Sequence, residues 1–370
     1  MIITDIKTYK HFSVWRNLIF VIIETDEGIS GVGEATIRNK EMAVTEAIEH
    51  HLKPMLLGTS PFSIEQFFQK AFLKDAWRNG AVFNTAISGI EMAMWDIMGK
   101  KAGLPVYNFL GGKLQDKIFL YANTWFMKAK TIDEFALAAK DTVDLGFKAL
   151  KWDPLKAAKS EDSERVTVQK GLDCLKAVRE AVGPSIELGI ELHGSLTFDG
   201  SLQYAKGAEP YHPMFLEEPM HPDDRQGYLK LSKLSLLPIA AGERYFTRFA
   251  HRQIYEDGYL SIIQPDLTHC GGIFETKKMA AMAETYFLKF APHNSGGPVG
   301  TIASAMVDAT CPNFFIQEFS IENLELKDRF FEESFKVEDG YLLLSDLPGL
   351  GMVPNMDVIK EETYRHFQTF

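Results

Sequence analysis

The chain has 370 residues, of which 46% are hydrophobic and 24% are charged, and its formal net charge is -11 at pH 7. A chain of this length exceeds the size at which a single core usually stops growing, so we expect two domains. The acidic balance argues against a nucleic-acid-binding protein, which would normally present a basic face.

The cysteines and the N-terminus indicate where the protein is expected to work. The three cysteines are widely spread and include no CxxC pair, so the sequence predicts neither a disulfide framework nor a zinc cluster. The first residues lack a basic segment followed by an apolar run, and no stretch of about 18 consecutive apolar residues occurs. We therefore expect a cytoplasmic protein without a signal peptide, a membrane span, or a nucleic-acid or membrane partner.

The first part of the chain predicts an α+β unit. Residues 18–34 contain two apolar runs separated by a turn signal, which predicts an antiparallel hairpin. Across residues 41–100 apolar side chains recur at i, i+3 and i+4, the spacing of helices. The sequence Gly-Leu-Pro at residues 103–105 ends that pattern. Residues 1–115 are therefore predicted to form one domain.

From about residue 117, short apolar runs alternate with amphipathic helical segments. This alternation is typical of a (β/α) barrel, which usually needs about 250 residues, although a doubly wound open sheet would give the same rhythm. The candidate strands are residues 119–124, 149–153, 188–192, 215–218, 239–243, 260–266, 288–293 and 314–318.

Ionisable residues at the ends of these strands favour one of the two folds. In a barrel the C-terminal strand ends meet at one mouth, where active sites lie, whereas an open sheet would spread them along a line. The strand-end residues are Lys151, Asp153, Glu191, His193, Glu217, Glu218, Glu243, Asp266, His293 and Glu318. We therefore predict an α/β fold with a barrel over residues 116–344.

Three of the carboxylates are evenly spaced. Glu191, Glu217 and Glu243 follow one another at intervals of 26 residues (217 − 191 = 243 − 217 = 26), about one strand–helix–strand unit. We expect them at equivalent positions on adjacent strands, where they would repel one another unless a cation lies between them. Oxygen ligands with open positions suit Mg²⁺. The alternative is that each acid caps the helix that follows its strand.

A histidine and an aspartate follow two neighbouring strands. Asp266 comes after Gln-Pro and His293 after Ala-Pro, so adjacent strands would bring the two side chains within hydrogen-bond reach. A carboxylate on one imidazole nitrogen fixes the tautomer and raises the basicity of the other nitrogen, which predicts a general base. A purely structural histidine is the alternative. We interpret His269 and Cys270, in a predicted loop, as structural.

Together these residues resemble the mandelate racemase subgroup of the enolase superfamily, and most of all its galactonate dehydratase-type acid-sugar dehydratases. The resemblance covers essentially the whole chain. The matching motifs are Gly31-Val32-Gly33-Glu34, Ala93-Met94-Trp95-Asp96, Phe215-Leu216-Glu217-Glu218-Pro219, Ala240-Ala241-Gly242-Glu243-Arg244, Ser261-Ile262-Ile263-Gln264-Pro265-Asp266, Ala291-Pro292-His293 and Gln317-Glu318.

The resemblance implies a (β/α)7β barrel with an α+β capping domain, built from residues 1–115 and from a C-terminal segment, residues 345–370, that returns to it. It also implies a set of roles in the barrel. Glu191, Glu217 and Glu243 would bind Mg²⁺, His293 oriented by Asp266 would remove the proton at carbon 2, His193 would protonate the departing hydroxyl at carbon 3, and Glu318 would hydrogen-bond an enediolate oxygen.

Two positions depart from the family pattern. Relatives usually have Asp where this chain has Glu191, so the carboxylate here is one methylene longer. Racemases of the subgroup carry Lys-x-Lys where this chain has Lys151-Trp152-Asp153, so one of their bases is missing. Lys151 remains able to hold the substrate carboxylate. Asp153 is expected to orient Lys151 or to contact substrate, with simple structural pairing as the alternative.

These residues predict a hydro-lyase that converts an aldonate or aldarate into a 2-keto-3-deoxy acid. Cap loops near residues 11–16 and 38–40 are expected to select the substrate, with Trp15, Arg16 and Arg38 as binding residues. An epimerase, racemase or cycloisomerase using the same intermediate is the alternative, and a non-catalytic metal-binding relative is the third interpretation. Relatives often form symmetric assemblies, so a homo-oligomer is expected.

Overall fold

The computed structural model describes residues 1–366, so residues 367–370 of the predicted C-terminal return lie outside the described residues. The N-terminal unit begins with an antiparallel three-stranded sheet in the order β1-β2-β3. Its strands are β1 (Ile3–Phe12), β2 (Asn17–Thr25) and β3 (Ser30–Glu34). The predicted hairpin is β2–β3, while β1 adds a long strand that the sequence interpretation did not assign.

Helices cover this sheet. They are α1 (Glu41–Ala47), α2 (Lys53–Leu56), α3 (Ile64–Phe68) and α4 (Ala81–Ala102), with π-helical turns at Ile48–Leu52 and Gln69–Leu73. Strand β3 lies directly on α4, because a Cβ at Gly31 would be 2.1 Å from the oxygen of Ala93, and one at Gly33 would be 1.9 Å from the oxygen of Gly89. These glycines are therefore required by close backbone packing.

Eight parallel strands form the barrel. They are β4 (Lys117–Asn123), β5 (Ala149–Trp152), β6 (Glu187–Glu191), β7 (Phe215–Glu217), β8 (Ile239–Ala241), β9 (Ile262–Ile263), β10 (Lys289–Phe290) and β11 (Gln317–Ser320). Neighbours pair in chain order from β4 to β10, and β11 pairs with β4. Phe290 bridges to Phe314 just before β11, so the sheet closes and the predicted barrel is confirmed.

Helices surround the barrel. They are α5 (Ile132–Asp144), α6 (Glu164–Val182), α7 (Phe198–Ala208), α8 (Arg225–Leu234), α9 (Thr247–Asp257), α10 (Leu267–Cys270), α11 (Ile273–Thr285) and α12 (Pro298–Asp308). Short 3₁₀ turns lie at Val106–Leu110, Pro154–Ala157 and Glu209–Tyr211. Among residues 1–366, no helix is both long enough and apolar enough to cross a membrane.

The expected equivalence of the three evenly spaced glutamates is only partly correct. Glu191 and Glu217 are direct partners on β6 and β7. Glu217, however, pairs with Ala240 on β8, so Glu243 lies three residues beyond that partner and past the end of its strand. Because barrel strands are staggered, equal spacing along the chain does not give equal register.

Side chains fill the barrel interior, so it is a core and not a channel. Tyr121 and Phe215 are fully buried there, with ring centroids 6.1 Å apart. Gly189 makes room for Phe215, since a Cβ at this position would lie 2.7 Å from the tip of that ring. Ionisable barrel residues that face a cavity, among them Glu191, His193, Glu243 and His293, lie beyond this core at the C-terminal ends of the strands.

Two buried carboxylates of the N-terminal unit cap barrel helices. Glu34, at the end of β3, accepts hydrogen bonds from the backbone N–H groups of Gly297, Val299 and Gly300, at the start of α12. Glu91, on α4, accepts from the N–H group of Ile273 at the start of α11. Each carboxyl group accepts from N–H groups that a helix N-terminus leaves without an intrahelical partner, so these contacts hold the two units together.

The chain after the barrel contributes α13 (Asn323–Phe330), β12 (Phe331–Glu333), β13 (Lys336–Glu338), β14 (Tyr341–Leu343), β15 (Val353–Pro354) and α14 (Met356–Lys360). Strand β14 pairs antiparallel with β4. Further on, the backbone of Thr363 bonds Lys10 and Phe12 of β1, and His11 Nε2 lies 2.7 Å from the oxygen of Ile359. Residues 345–366 thus contact the N-terminal unit, and the domain boundaries themselves stay a prediction.

Candidate active site

A cavity of about 690 Å³ opens between the C-terminal strand ends and the N-terminal unit. The barrel contributes Lys151, Glu191, His193, Glu243 and His293 to its walls. The N-terminal unit contributes Trp15, Ile37, Arg38, Lys40 and Ala81. This volume is within the range of small-molecule sites, and the position is the one expected for a barrel enzyme.

Three carboxylates meet at the base of this cavity. Oxygen atoms of Glu191, Glu217 and Glu243 all lie within 4.8 Å of one another. Burial and repulsion by Glu191 raise the pKa of Glu217 well above its usual value, so the cluster favours a positive partner. An all-oxygen donor set of this kind fits a divalent ion, and the extra methylene of Glu191 does not keep its carboxylate out of the cluster.

Lys151 is a buried cation beside this cluster. Its Nζ is 2.5 Å from Glu217 Oε1, 3.2 Å from Glu191 Oε2 and 3.2 Å from Glu318 Oε1. Burial alone would lower the pKa of Lys151, but the surrounding carboxylates outweigh it and raise the pKa well above its usual value. Lys151 is therefore a fixed positive charge at the wall of the cavity.

Amides hold two of the carboxylates in place. Gln264 Nε2 donates to Glu217 Oε2 at 2.6 Å. Glu318 accepts from the side chain of Asn123 and from the backbone N–H of Asn294, the latter at 2.8 Å. Such supporting hydrogen bonds fix the direction in which each carboxylate points.

His293 and Asp266 form the expected pair. Asp266 Oδ2 accepts from His293 Nδ1 at 2.6 Å, and Asp266 Oδ1 accepts from the N–H of Thr268 at 2.7 Å. His293 Nε2 is 3.2 Å from Glu243 Oε2. Burial would lower the pKa of His293, but Glu243, Glu318 and Asp266 raise it well above its usual value. Because Asp266 occupies Nδ1, Nε2 is the nitrogen left for proton transfer.

His193 forms a second pair with an aspartate. Its Nδ1 is 3.1 Å from Asp153 Oδ2, and the side chain is 43% exposed, on the cavity wall. Burial opposes protonation of His193, but Glu191 and Asp153 outweigh that effect and raise its pKa above the usual value. The backbone of His193 has φ = 48°, a left-handed conformation that costs a non-glycine residue energy and is concentrated at functional sites.

The structure separates the predicted substrate-binding residues. Trp15, Arg38 and Lys151 line the cavity. Arg16 lies behind the wall, 1% exposed, where it pairs with Glu322 at 3.3 Å. Asp153 is likewise behind the wall and contacts His193 instead of Lys151.

Three basic residues of the barrel line the cavity although the sequence interpretation gave them no role in the site. His269 was interpreted as structural, yet it lines the cavity from α10, 3.7 Å from Asp266 and 2.7 Å from Thr85 Oγ1. Its position three residues after Asp266 is the signal that would have found it. Lys156 lines the cavity from the turn after β5, and Arg244 lines it while pairing with Glu218 at 2.8 Å. Lys156 belongs to no motif, and Arg244 ends the family motif that contains Glu243 but was given no role there.

Comparisons with known proteins agree with this geometry. Residues 134–358 match the model of the enolase C-terminal domain-like family, and residues 7–111 match that of the mandelate racemase / muconate lactonizing enzyme N-terminal domain. The D-galactonate dehydratase of Pectobacterium atrosepticum is 37% identical over 369 residues, which cover 98% of this chain and 94% of that protein. That of Ralstonia pickettii is 36% identical, over 95% and 92%.

A solved structure shows the same architecture. The crystal structure of a member of the enolase superfamily from Salmonella Typhimurium has a TM-score of 0.91 to this chain at 29% identity, and the match covers 98% of both chains. Together with the family models that match both units, this similarity assigns the protein: it belongs to the enolase superfamily, in the mandelate racemase/muconate lactonizing enzyme subgroup.

Proposed function

We propose that this protein is a magnesium-dependent dehydratase of a sugar acid, which removes the proton at carbon 2 and the hydroxyl at carbon 3 to give a 2-keto-3-deoxy acid. One observation carries the proposal: His193 and His293 face the same cavity together with Glu191 and Glu243. The two histidines come from the third and seventh of eight strands, half a barrel apart. A substrate held between them presents one group to each.

His293 is the base of this reaction. Asp266 holds the ring through Nδ1, so Nε2 takes the proton from carbon 2. Glu191, Glu217 and Glu243 would hold a divalent ion, which would supply positive charge at the substrate carboxylate and so make the neighbouring C–H bond more acidic. Lys151, whose Nζ lies 3.2 Å from Glu318 Oε1, donates to the carboxylate as negative charge develops on it. Glu318, on the same side of the barrel, would hydrogen-bond an enediolate oxygen in its protonated form, because an ionised carboxylate only accepts.

His193 is the acid that completes the elimination. It gives its proton to the hydroxyl at carbon 3, so the C–O bond breaks and water leaves as the double bond forms between carbons 2 and 3. The resulting enol takes up a proton at carbon 3 and becomes the 2-keto-3-deoxy acid. A general acid is needed here because hydroxide is a poor leaving group.

Magnesium is the metal that suits this donor set best. All three ligands are carboxylates, and a small hard cation keeps open positions for substrate and water. The curated relatives at 37% and 36% identity are D-galactonate dehydratases, which supports an aldonate or aldarate as substrate and a place in sugar-acid catabolism. Action in the cytoplasm and assembly as a homo-oligomer stay predictions from the sequence.

A panel of diastereomeric aldonic and aldaric acids, incubated with the enzyme and Mg²⁺, tests the proposal. We expect at least one acid to lose water and to yield a ketone that a carbonyl reagent detects. A product of unchanged mass would instead identify an epimerase or cycloisomerase. Binding without any turnover across the panel would identify a non-catalytic relative.

The His293→Asn variant tests the assignment of the base. In D₂O the wild-type enzyme should exchange the carbon-2 proton and release product, and His293→Asn should do neither. His193→Asn should retain the exchange while losing product formation. Exchange that persists in His293→Asn would remove His293 from the role of base.

A further inference from the structure

The two Asp–His pairs of the cavity are built in the same way. Each aspartate follows a barrel strand, and each has similar backbone angles, with φ of -96° and ψ of 99° at Asp153 and φ of -90° and ψ of 115° at Asp266. Each uses Oδ1 to accept the backbone N–H two residues later, at 2.9 Å from Leu155 and 2.7 Å from Thr268. Each uses Oδ2 to accept Nδ1 of a histidine on the next strand.

The barrel places the two pairs opposite one another. Asp153 and His193 follow the second and third strands, while Asp266 and His293 follow the sixth and seventh. The metal-ligand carboxylates come from the third, fourth and fifth strands, between the two histidines in strand order. The site thus has one oriented imidazole on each side.

The ring of His193 is hydrogen-bonded to Asp153, while other polar contacts of this residue involve its backbone. Its backbone is fixed by the N–H bond to Glu191 Oε1 at 2.8 Å and by Arg244 Nη2, which donates to its oxygen at 3.2 Å. Its ring, which is 43% exposed, has Asp153 as its hydrogen-bond partner, while Glu191 Oε1 is 3.9 Å away. Asp153 itself is 7% exposed and is not part of the cavity wall.

We propose that Asp153 is a positioning residue for His193: by accepting Nδ1–H it turns Nε2 toward the leaving hydroxyl, as Asp266 does for the base. This inference rests on the proposed dehydration and deepens it. An aspartate then orients each of the two histidines, the one that removes the proton at carbon 2 and the one that protonates the hydroxyl at carbon 3. Asp153 stands where racemases of the subgroup carry the second lysine of Lys-x-Lys, and this aspartate orients His193, the general acid.

Two substitutions separate this role from that of a helix cap. Asp153→Ser keeps a cap for the N–H of Leu155 but is too short to reach His193. Asp153→Asn keeps the cap and the shape of the side chain, but its amide N–H group can face Nδ1, where the aspartate presented an acceptor. Asp224→Ser is the matched control, because Asp224 caps α8 through the N–H of Gly227 at 2.9 Å and is not part of the cavity wall.

The experiment measures product formation and carbon-2 deuterium exchange with the Mg²⁺-loaded enzyme. We expect both Asp153 variants to lose on the order of 10²-fold in product formation, the effect of an ineffective general acid, while the exchange rate stays within about threefold. Asp224→Ser should change neither rate. In the His193→Asn background, Asp153→Ser should have no further effect, because the two residues act as one unit.

A spectroscopic measurement on the same holoenzyme is independent of turnover. With ¹⁵N-labelled histidine, the His193 signals, identified by their loss in His193→Asn, should show a protonated Nδ1 that Asp153→Asn abolishes. A protonated Nδ1 with no loss of activity in Asp153→Ser would overturn the positioning role, and so would a further loss in the double variant. If the wild-type enzyme removes water from none of the sugar acids, the proposed function itself is refuted. If Nδ1 of His193 is unprotonated in the wild type, only the Asp153 inference is overturned.

Discussion

At the scale of single residues, the site contains buried carboxylates whose negative charge is partly neutralised by a buried lysine. Glu191, Glu217 and Glu318 surround one ammonium group, that of Lys151, and all four side chains are buried. An isolated carboxylate in such surroundings would be strongly unfavourable, so each needs a cation or several donors. Lys151 is the cation for these three carboxylates, and a divalent ion held by Glu191, Glu217 and Glu243 would neutralise two of them as well.

Replacing Lys151 by Met should therefore destabilise the metal-free protein. We expect the free energy of unfolding to fall by about 3–5 kcal/mol, the usual consequence of removing one partner from a buried ion pair. Mg²⁺ should restore part of that loss, because it binds the folded state only. Urea unfolding with and without Mg²⁺ measures both effects.

Lys170→Met is the control for this substitution. Lys170 pairs with Asp162 at 2.6 Å, but its side chain is 34% exposed, and such pairs contribute at most about 1 kcal/mol. Equal losses in the two variants would contradict the idea that Lys151 neutralises the carboxylate cluster.

At the scale of elements, the contact between α4 and the start of α11 joins the two units. Glu91 accepts from the N–H groups of Ile273 and Phe274 and from Trp95 Nε1, so donors from both units hold this carboxylate. Gly272, which immediately precedes α11, has φ = 93° and lies against this carboxylate. Glycine is needed here because there is no room for a side chain.

Gly272→Ala should accordingly be strongly destabilising. Its Cβ would lie 2.1 Å from Glu91 Oε2, and the positive φ adds strain, so we expect a loss of about 3 kcal/mol or more in urea unfolding. Gly258→Ala isolates the strain, because Gly258 has φ = 65° and no atom within 4 Å of the added Cβ. If both variants lose the same amount, the clash with Glu91 has no energetic weight.

Glu91 should also make stability depend on pH. Burial raises its pKa to about 7, so the folded state holds the proton more tightly than the unfolded chain does. The stabilising effect is then complete below the unfolded pKa of 4.5 and is lost as the pH rises through about 7. Glu91→Gln should remove about 2–3 kcal/mol of the decline between pH 5 and pH 8.

Urea unfolding of the wild type and of Glu91→Gln across this pH range measures the difference directly. Other titrating groups are common to both proteins and cancel in the comparison. Parallel stability curves for the two proteins would mean that Glu91 is ionised throughout.

The elements also show what the sequence can predict. The alternation of apolar runs and helical segments left a barrel and an open sheet as alternatives, and the ionisable residues at the strand ends favoured the barrel that the structure shows. Strand β1 was not assigned because its alternation, half-buried along most of its length, is less apolar than that of β2. The stagger of Glu243 depends on barrel closure, a long-range property that no local spacing reveals.

At the scale of the whole molecule, charge is unevenly distributed. The chain has a net charge of -11, yet Arg38, Lys40 and Lys156 line the mouth of the cavity. Arg38 lies over Trp15 and Lys156 over Phe126, and neither has a carboxylate within 4.0 Å among residues 1–366. The mouth therefore attracts an anionic substrate that the rest of the surface would repel.

Lys156→Met should weaken this attraction. We expect kcat/KM to fall several-fold at low ionic strength while kcat changes little, and the difference to shrink as salt is raised above about 0.1 M. Lys176→Met, which removes an exposed lysine of α6, is the control and should have no effect. A loss that is the same at every salt concentration would point to a direct contact and not to long-range attraction.

These mouth residues also mark the limit of sequence reasoning. Lys156, a lysine in a turn, looks like any surface cation, and the motif that contains Arg244 does not show that this side chain lines the cavity. Only the closed barrel brings the two residues to one rim. The proposed catalytic groups were easier to predict, because carboxylates and histidines at the C-terminal ends of barrel strands meet where active sites lie. Substrate selection, which depends on loops from both units, is correspondingly the least predictable property.

A crystal structure of the Mg²⁺-loaded protein tests the central claim most directly. We predict one ion bound by an oxygen from each of Glu191, Glu217 and Glu243 at about 2.0–2.1 Å, with its remaining positions open toward His193 and His293. An ion bound elsewhere at saturating Mg²⁺, or an ion that one of the three carboxylates does not contact, would contradict the proposed chemistry.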